Sequence, residues 1–164
     1  MKELKLGSLY YEISRHTPPA IYIDPGETLS VETQDTFNGL VLKEGDHRDI
    51  KQKPYGNPQS GPIYVNGAEK GDTLTVHIHK IEARLGQAAN DMTYGKNGMS
   101  EFLGPDVPRA TRICPVEDGK VWWSPQVPLP YAPMIGTIGT APEIGVPTTG
   151  PAGPYGGNMD LKEV

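Results

Sequence analysis

The sequence is short of cysteine, with Cys114 the only one among 164 residues. A single cysteine cannot form a disulfide within the chain, which excludes the class of small disulfide-stapled secreted domains and fits a reducing compartment. No apolar run approaches the roughly 20 residues that a membrane-spanning helix needs, and residues 1–7 contain no apolar core of signal-peptide length. We therefore expect a cytoplasmic protein with no membrane partner.

The sequence also lacks an excess of positive charge. Its formal net charge is -5 and its pI is about 5.3, and the acidic residues are spread along the chain. Nucleic-acid binding needs a basic stripe, so no nucleic-acid partner is expected. The chain has no phosphate-binding loop, no Gly-x-Ser-x-Gly elbow and no Cys-x-x-Cys pair, which excludes the commonest nucleotide, serine-hydrolase and thiol chemistries.

Glycine and proline are abundant instead, at 20 and 17 residues. Both disfavour helix interiors, where glycine costs roughly 1 kcal/mol and proline roughly 3 kcal/mol relative to alanine. A hydrophobic share of 36% beside 21% charged residues argues for a packed core rather than a disordered chain. The composition therefore predicts a loop-rich, all-β fold.

Short strands separated by turns are the main pattern along the chain. The turn motif EKGD at 69–72 precedes residues 73–81, where Leu74, Val76 and Ile78 alternate with polar side chains. Period-two alternation predicts a half-buried strand with a firmly set register. Residues 87–104 show no such period and are predicted as a long loop. Further strands are predicted at residues 10–13, 18–23, 29–33, 40–42, 63–65 and 111–114. This series predicts one β-sandwich or jelly-roll domain over residues 1–164.

Histidines are the first candidates for chemistry. His77 and His79 lie two residues apart on the predicted strand, so both rings can reach one metal ion. The same spacing also fits two histidines on a solvated strand face. His16 precedes the rigid Thr-Pro-Pro stretch, which suits either a catalytic or a structural imidazole. His47, in the motif GDHRD, is expected in a surface loop.

Carboxylates and side-chain amides near turns form the second group of candidates. Asp35 stands where a strand gives way to a turn, where it could cap the turn or project into a cleft. Asn57 opens the amide-rich motif NPQSGP, which could hold a substrate amide or form a proline-bounded loop. Asn158 and Asp160 follow two glycines and could provide oxygen ligands for a divalent metal, although the motif taken alone favours a plain loop.

Two adjacent aromatic residues, Trp122 and Trp123, suggest a platform for stacking a sugar. Neighbouring strand residues face opposite ways, so at most one of the two rings can form an exposed platform. A binding module without catalysis is therefore the alternative reading of this sequence.

The ordered set of motifs resembles the acetamidase/formamidase family of amide hydrolases. The resemblance covers nearly the whole chain and is carried by HTPP at 16–19, DPGETL at 24–29, DTFNG at 35–39, NPQSGPIYVNGAE at 57–69, GDTLTVHI at 71–78, PMIGTIGTAP at 133–142, GP at 150–151 and GGNMD at 156–160. It implies a jelly-roll or CUB-like β-sandwich that hydrolyses a short aliphatic amide, such as formamide or acetamide, to a carboxylate and ammonia.

The resemblance also implies where the chemistry takes place. Its catalytic candidates are Asp35, His16 and Asn57. Its ligands for a divalent metal, zinc or calcium, are Asp35, His77, Asn158 and Asp160. A metal can polarise the poorly electrophilic amide carbonyl or activate water, and a carboxylate or imidazole can then carry the proton.

The chain departs from the family pattern in its length and at residue 155. Members of the family are about twice as long, so residues 1–164 resemble the N-terminal portion of such an enzyme. Tyr155 stands where a histidine is common in the family. A half-length chain is expected to need a complementary C-terminal chain or to form a homo-oligomer, because it would expose unpaired strand edges. The alternative is a binding or assembly subunit that has lost catalysis together with the second half.

Overall fold

The computed structural model describes residues 1–48, 51, 55–92 and 110–160, and these residues form strands, turns and loops. Eleven strands and no helix are found among them, which confirms the all-β class. The strands are β1 (Lys2–Leu4), β2 (Ile21–Ile23), β3 (Leu29–Val31), β4 (Ile63–Val65), β5 (Gln87–Met92), β6 (Ala110–Glu117), β7 (Lys120–Ser124), β8 (Val127–Pro130), β9 (Thr137–Gly139), β10 (Ala152–Gly153) and β11 (Gly156–Asn158). No helix capable of crossing a membrane occurs in this part of the chain.

The chain divides into two compact units. Unit 1 comprises Met1–Thr36, Tyr55–Ile81 and Met134–Val164, and unit 2 comprises Phe37–Pro54 and Glu82–Pro133. The single sandwich domain over residues 1–164 stays a prediction.

Unit 1 contains three small sheets. Strands β1 and β3 form a parallel pair, and β2 and β4 form another, with Ile21 opposite Ile63. Strands β10, β11 and β9 form an antiparallel sheet in that order. Two-stranded sheets are marginally stable by themselves in water, so these pairs depend on what packs against them.

Unit 2 contains one antiparallel sheet in the order β5-β6-β7-β8. Its fully buried hydrophobic residues are Val41 and Cys114, each 3% exposed. The prediction that the Cys114 thiol is buried is confirmed. The edge strand β8 carries Pro128 and Pro130, which lack the N–H groups that a further strand would need.

Four predicted elements differ from the observed structure. Residues 73–81 form no strand, because no strand among the described residues pairs with them. Residues 87–92, predicted as loop, form β5 because β6 supplies an antiparallel partner in continuous register from Gln87 opposite Pro115. Residues 10–13 make two isolated bridges instead of a strand, and residues 40–42 are irregular. Residues 93–104 of the predicted loop lie outside the described part.

Candidate functional site

Asn57 joins two distant segments of unit 1. Its Oδ1 accepts a hydrogen bond from Thr36 Oγ1 at 2.6 Å, and its Nδ2 donates to the Thr149 carbonyl at 3.4 Å. The residue has a φ of 54°, a left-handed conformation that asparagine tolerates better than most residues. Both ends of the Asn57 amide are therefore engaged, and its orientation is fixed.

Thr149 anchors this network because its side chain is only 1% exposed. Its Oγ1 lies 3.3 Å from the carbonyl oxygens of both Tyr11 and Gly56, and its backbone N–H donates to the Tyr11 carbonyl at 3.0 Å. A buried hydroxyl with partners stays ordered, since losing them would leave it unsatisfied. Thr149 thus fixes the segment that precedes Asn57.

Asn158 approaches the same segment from β11. Its Nδ2 donates to the Gly150 carbonyl at 3.1 Å, next in sequence to the carbonyl that Asn57 contacts. Its Oδ1 accepts from Thr137 Oγ1 at 3.2 Å, and Thr137 is its cross-strand partner on β9. The two asparagine amides are therefore bound to consecutive carbonyl groups.

Close backbone packing explains the two glycines before Asn158. A Cβ on Gly156 would lie 2.5 Å from the Ile138 carbonyl oxygen, and one on Gly157 would lie 2.6 Å from that of Pro151. Both residues also have positive φ, at 87° and 94°. The glycine pair thus lets β11 insert between β9 and β10, and this insertion positions Asn158.

Asp160 completes the set of polar groups. Its Oδ1 lies directly over the Cα of Gly136, in the space that a side chain there would occupy. Asn158 Oδ1 lies 3.6 Å from the same Cβ position. The carboxylate of Asp160, which is exposed, and the amide oxygen of Asn158 therefore converge on Gly136.

The remaining predicted site residues, Asp35, His16 and His77, are all exposed. Asp35 is exposed and precedes Thr36, the hydrogen-bond donor to Asn57. The His16 ring is exposed, with Arg15 Nε 3.4 Å from its Nε2. His77 is exposed and lies in residues 73–79, which form no strand. The structure thus places the Asn158 amide oxygen and the Asp160 carboxylate beside Gly136, and it binds Asn57 and Asn158 to consecutive carbonyl groups. Among the described residues, no hydrogen bond joins His16 or His77 to this set.

The donor set is incomplete for a metal centre. No group of three or more His, Cys, Asp or Glu side chains that could hold a metal ion occurs in residues 1–48, 51, 55–92 and 110–160. Asn158 and Asp160 supply two converging oxygens, whereas calcium takes six to eight oxygen ligands and zinc four ligands. The described residues alone do not fit the metal that the resemblance implies.

A second polar cluster lies in unit 2 and was not anticipated from the sequence. His47 Nδ1 is 2.9 Å from Asp91 Oδ1, and the Asp91 side chain is fully buried. Thr111 Oγ1 donates to the Asp46 carbonyl, so the same oxygen, 3.0 Å from His47 Nδ1, can only accept from it. Nδ1 therefore carries the proton. The three residues are far apart in sequence, so only the pairing of β5 with β6 could have revealed them.

One of the two tryptophans is exposed, as expected for neighbouring residues of a strand. Trp123 is 41% exposed, whereas Trp122 is half-buried. The Arg112 guanidinium lies 4.7 Å from the centre of the Trp123 ring, and Lys120 Nζ lies 5.5 Å from that of Trp122. These cation–π contacts cover part of each ring face. Sugar binding by this exposed ring stays a prediction.

Comparison with known proteins gives a consistent set of similarities. The model of the Acetamidase/Formamidase family matches residues 12–163. Three solved structures are similar over 98–99% of this chain and 53% of theirs: a predicted acetamidase/formamidase from Thermoanaerobacter tengcongensis (32% identity, TM-score 0.87), an acetamidase from Bacillus halodurans (28%, 0.79) and an acetamidase from Yersinia enterocolitica (30%, 0.74).

A curated protein of Schizosaccharomyces pombe with a provisional formamidase name is 30% identical over 131 residues. That match covers 76% of this chain and 32% of the yeast protein. The chain therefore spans about half the length of the solved relatives and about a third of the yeast relative.

Proposed function

Because the chain belongs to the acetamidase/formamidase family, we propose that it takes part in the hydrolysis of short aliphatic amides such as formamide and acetamide. The observation that supports this proposal is that the Asn158 amide oxygen and the Asp160 carboxylate lie beside Gly136, while Asn57, from a distant segment of unit 1, binds the carbonyl next to the one that Asn158 binds. We place the reaction in the cytoplasm, with no membrane or nucleic-acid partner.

The chemistry of the substrate matches these groups. A primary amide carries two N–H donors and one carbonyl acceptor, so a carboxylate and side-chain amides can satisfy both ends. The Asp160 carboxylate can accept an N–H of the substrate, and the second N–H of Asn158 Nδ2 can donate to its carbonyl. Amide groups that are already oriented by protein partners bind with little loss of conformational entropy.

Hydrolysis requires water to add to the carbonyl carbon and the C–N bond to break. The nitrogen must gain a proton before it leaves as ammonia, and the hydroxyl proton must be removed from the attacking water. Asp160 is the proposed proton acceptor, with Asp35 and His16 as further candidates for proton transfer. Asn57 is proposed to orient the substrate.

A divalent metal, zinc or calcium, stays a prediction from the resemblance, with Asp35, His77, Asn158 and Asp160 as the residues that would hold it. The described residues alone do not form a complete ligand set, so the proton transfers proposed above use only side chains of this chain. When bound, the metal would polarise the amide carbonyl. Metal analysis of the purified protein, followed by ammonia release with and without a chelator, tests this part separately from the rest.

The proposed enzyme is completed by a further polypeptide, either a complementary C-terminal chain or another copy of this chain. The alternative function, an assembly subunit without catalysis, predicts complex formation without amide hydrolysis.

The decisive experiment measures ammonia release from formamide and acetamide by the complete assembly, comparing Asp160→Asn with Glu117→Gln. Glu117 is an exposed carboxylate in unit 2 and serves as the matched control. We expect D160N to lower kcat/KM at least about 100-fold and E117Q to leave it unchanged. Equal activities of the two variants would contradict the proposed role of Asp160 in catalysis.

A further inference from the structure

Residues 73–79, here called the unpaired segment, have the sequence of a strand but pair with no strand in the described part of the chain. The segment reads TLTVHIH, rich in the β-branched residues that sheets favour. No backbone hydrogen bond joins it to any described residue, and it has no bridge to another strand. Its N–H and C=O groups are therefore available for strand addition.

The aliphatic residues of the unpaired segment are exposed. Leu74 is 50% exposed, Val76 is 52% exposed and Ile78 is 47% exposed. These residues alternate with Thr75 and His77, so an extended backbone places all three aliphatic groups on one face. An unbroken apolar face of this kind is what a sheet normally covers.

The unpaired segment carries none of the features that protect a strand edge. Residues 73–79 contain no proline, lysine, aspartate or glutamate. By contrast, the edge strand β8 carries Pro128 and Pro130. A segment with high β-propensity, low charge and no proline is an aggregation hazard while it stays exposed. These features indicate that another polypeptide segment covers residues 73–79 in the assembled protein.

The rest of unit 1 indicates how large the covering polypeptide is. In the part of unit 1 that the structure describes, the buried side chains belong to Ser14, Pro58 and Thr149, and no large hydrophobic residue is buried. A single added strand would not supply a missing core, whereas a polypeptide of domain size would. This favours a partner comparable in size to the chain itself.

The solved relatives contain such a polypeptide. Each matches nearly all of this chain with only 53% of its own length. The unmatched remainder is almost as long as the matched portion, and it belongs to the same folded protein. We propose that residues 73–79 form the docking strand for the polypeptide that corresponds to this remainder, which adds a strand along the segment and buries Leu74, Val76 and Ile78. The proposal deepens the proposed function, because it identifies where the completing polypeptide binds.

The experiment uses the 164-residue chain and, as the probe, the recombinant unmatched portion of the Thermoanaerobacter tengcongensis relative. Light scattering after size exclusion gives the stoichiometry, and hydrogen exchange gives the protection of residues 73–79. A chimera that joins the chain to the same portion raises the effective concentration, so a weak complex still gives a result. Neither readout requires substrate, so a failure of amide hydrolysis leaves the docking result intact.

Two substitutions at neighbouring positions test whether binding depends on the aliphatic face of residues 73–79 or on the opposite face. Val76→Lys places a charge on the aliphatic face, and Thr75→Lys places the same charge on the other face. Both positions are exposed in the chain, so circular dichroism is expected to show both variants folded like the parent. We expect V76K to weaken binding at least about 100-fold and T75K to change it less than about fivefold.

A 1:1 complex with slow exchange at residues 73–79 supports the proposal. A homodimer of the chain that protects these residues would overturn it in favour of a second copy. Fast exchange at residues 73–79 in the chimera, or equal effects of V76K and T75K, would also overturn it.

Discussion

Gly136 leaves room in the candidate site because it has no side chain. The Asp160 carboxylate occupies the space beside its Cα, and Asn158 Oδ1 lies 3.6 Å from the position of the absent Cβ. No positive φ constrains this glycine, so its role is steric rather than conformational. The carboxylate and the amide oxygen can share one small space only because no Cβ divides them.

We therefore predict that Gly136→Ala impairs activity more than stability. The added methyl group must displace the Asp160 carboxylate, and displacement of a catalytic group by about 1 Å costs roughly 100-fold in rate. The free energy of unfolding should change by less than about 1 kcal/mol, since alanine fits the backbone there. Kinetics of amide hydrolysis and urea denaturation measure the two effects.

The control for this substitution is Gly150→Ala, where the nearest atom to a new Cβ is Thr148 Oγ1 at 3.8 Å. It should leave kcat/KM within about twofold, because an ordinary van der Waals contact requires no movement. An equal loss of activity in both variants would mean that Asp160 is not displaced selectively.

The buried Asp91 carboxylate and the His47 ring provide a second residue-scale prediction. We expect Asp91→Ala to lower the free energy of unfolding by about 2–3 kcal/mol, since hydrogen bonds to charged groups contribute about that amount. A double-mutant cycle with His47→Ala should give a coupling energy of at least about 1 kcal/mol. Additive effects of the two substitutions would show that the 2.9 Å contact contributes no stability.

At the scale of elements, β1 is tied to the following strands by one charged group. Lys2 Nζ lies 2.6 Å from Glu27 Oε2 and 2.9 Å from the Tyr22 carbonyl oxygen. The hydrogen bond from Lys2, followed by that from the Asp24 backbone N–H, lowers the pKa of Glu27 below its ordinary value of 4.5. This pair fixes one end of the β1–β3 ladder at the turn before β3.

The sign of the pH dependence follows from that shift. A lowered pKa in the folded state means that the ionised Glu27 contributes stability above about pH 4.5, and this contribution is lost as the pH falls through the folded-state pKa. Lys2→Met should bring the pKa of Glu27, followed by NMR titration, back towards its ordinary value. An unchanged pKa of Glu27 in K2M would show that Lys2 does not cause the shift.

The insertion of β11 between β9 and β10 gives an element-scale prediction about Gly157. Gly157→Ala should destabilise the fold by more than about 2 kcal/mol, because its Cβ would contact the Pro151 oxygen and the Tyr155 ring. Gly145→Ala is the control, since Gly145 has a similar φ of 83° but no atom within 4 Å of its Cβ position. That variant should cost only the conformational strain, about 1 kcal/mol. Equal urea midpoints for the two variants would rule out the packing explanation.

At the scale of the whole molecule, the chain buries little apolar surface. Val41 and Cys114 are its fully buried hydrophobic residues in the described part, and many large aliphatic and aromatic side chains are exposed. We therefore predict that the isolated chain unfolds in urea with a smaller m value than a typical globular protein of the same length, because m scales with the surface exposed on unfolding.

The completing polypeptide should raise both the m value and the midpoint, since a partner that binds only the folded state stabilises it. A steep transition of the isolated chain, with no change on addition of the Thermoanaerobacter tengcongensis portion, would contradict this prediction.

The amino-acid sequence by itself determined the fold class and the family. Twenty glycines and 17 prolines, with β-branched residues between them, exclude long helices whatever the tertiary arrangement. Local turn chemistry likewise placed β2, β3, β4 and β6 close to where they occur, because the alternation of side chains is encoded within each segment. The motifs at 57–69 and 156–160 carried the resemblance to amide hydrolases without any structure.

Only the tertiary structure decided which segments have partners. Residues 73–79 have the stronger strand pattern, yet residues 87–92 form the strand. The reason is that β6 supplies hydrogen bonds to residues 87–92, whereas no strand in the part of the chain that the structure describes pairs with residues 73–79. Asn57 and Asn158 bind consecutive carbonyl groups, at residues 149 and 150, which lie more than 90 residues from Asn57 in sequence. A hydrogen bond between distant residues depends on how the chain folds back, and this information is absent from any local pattern.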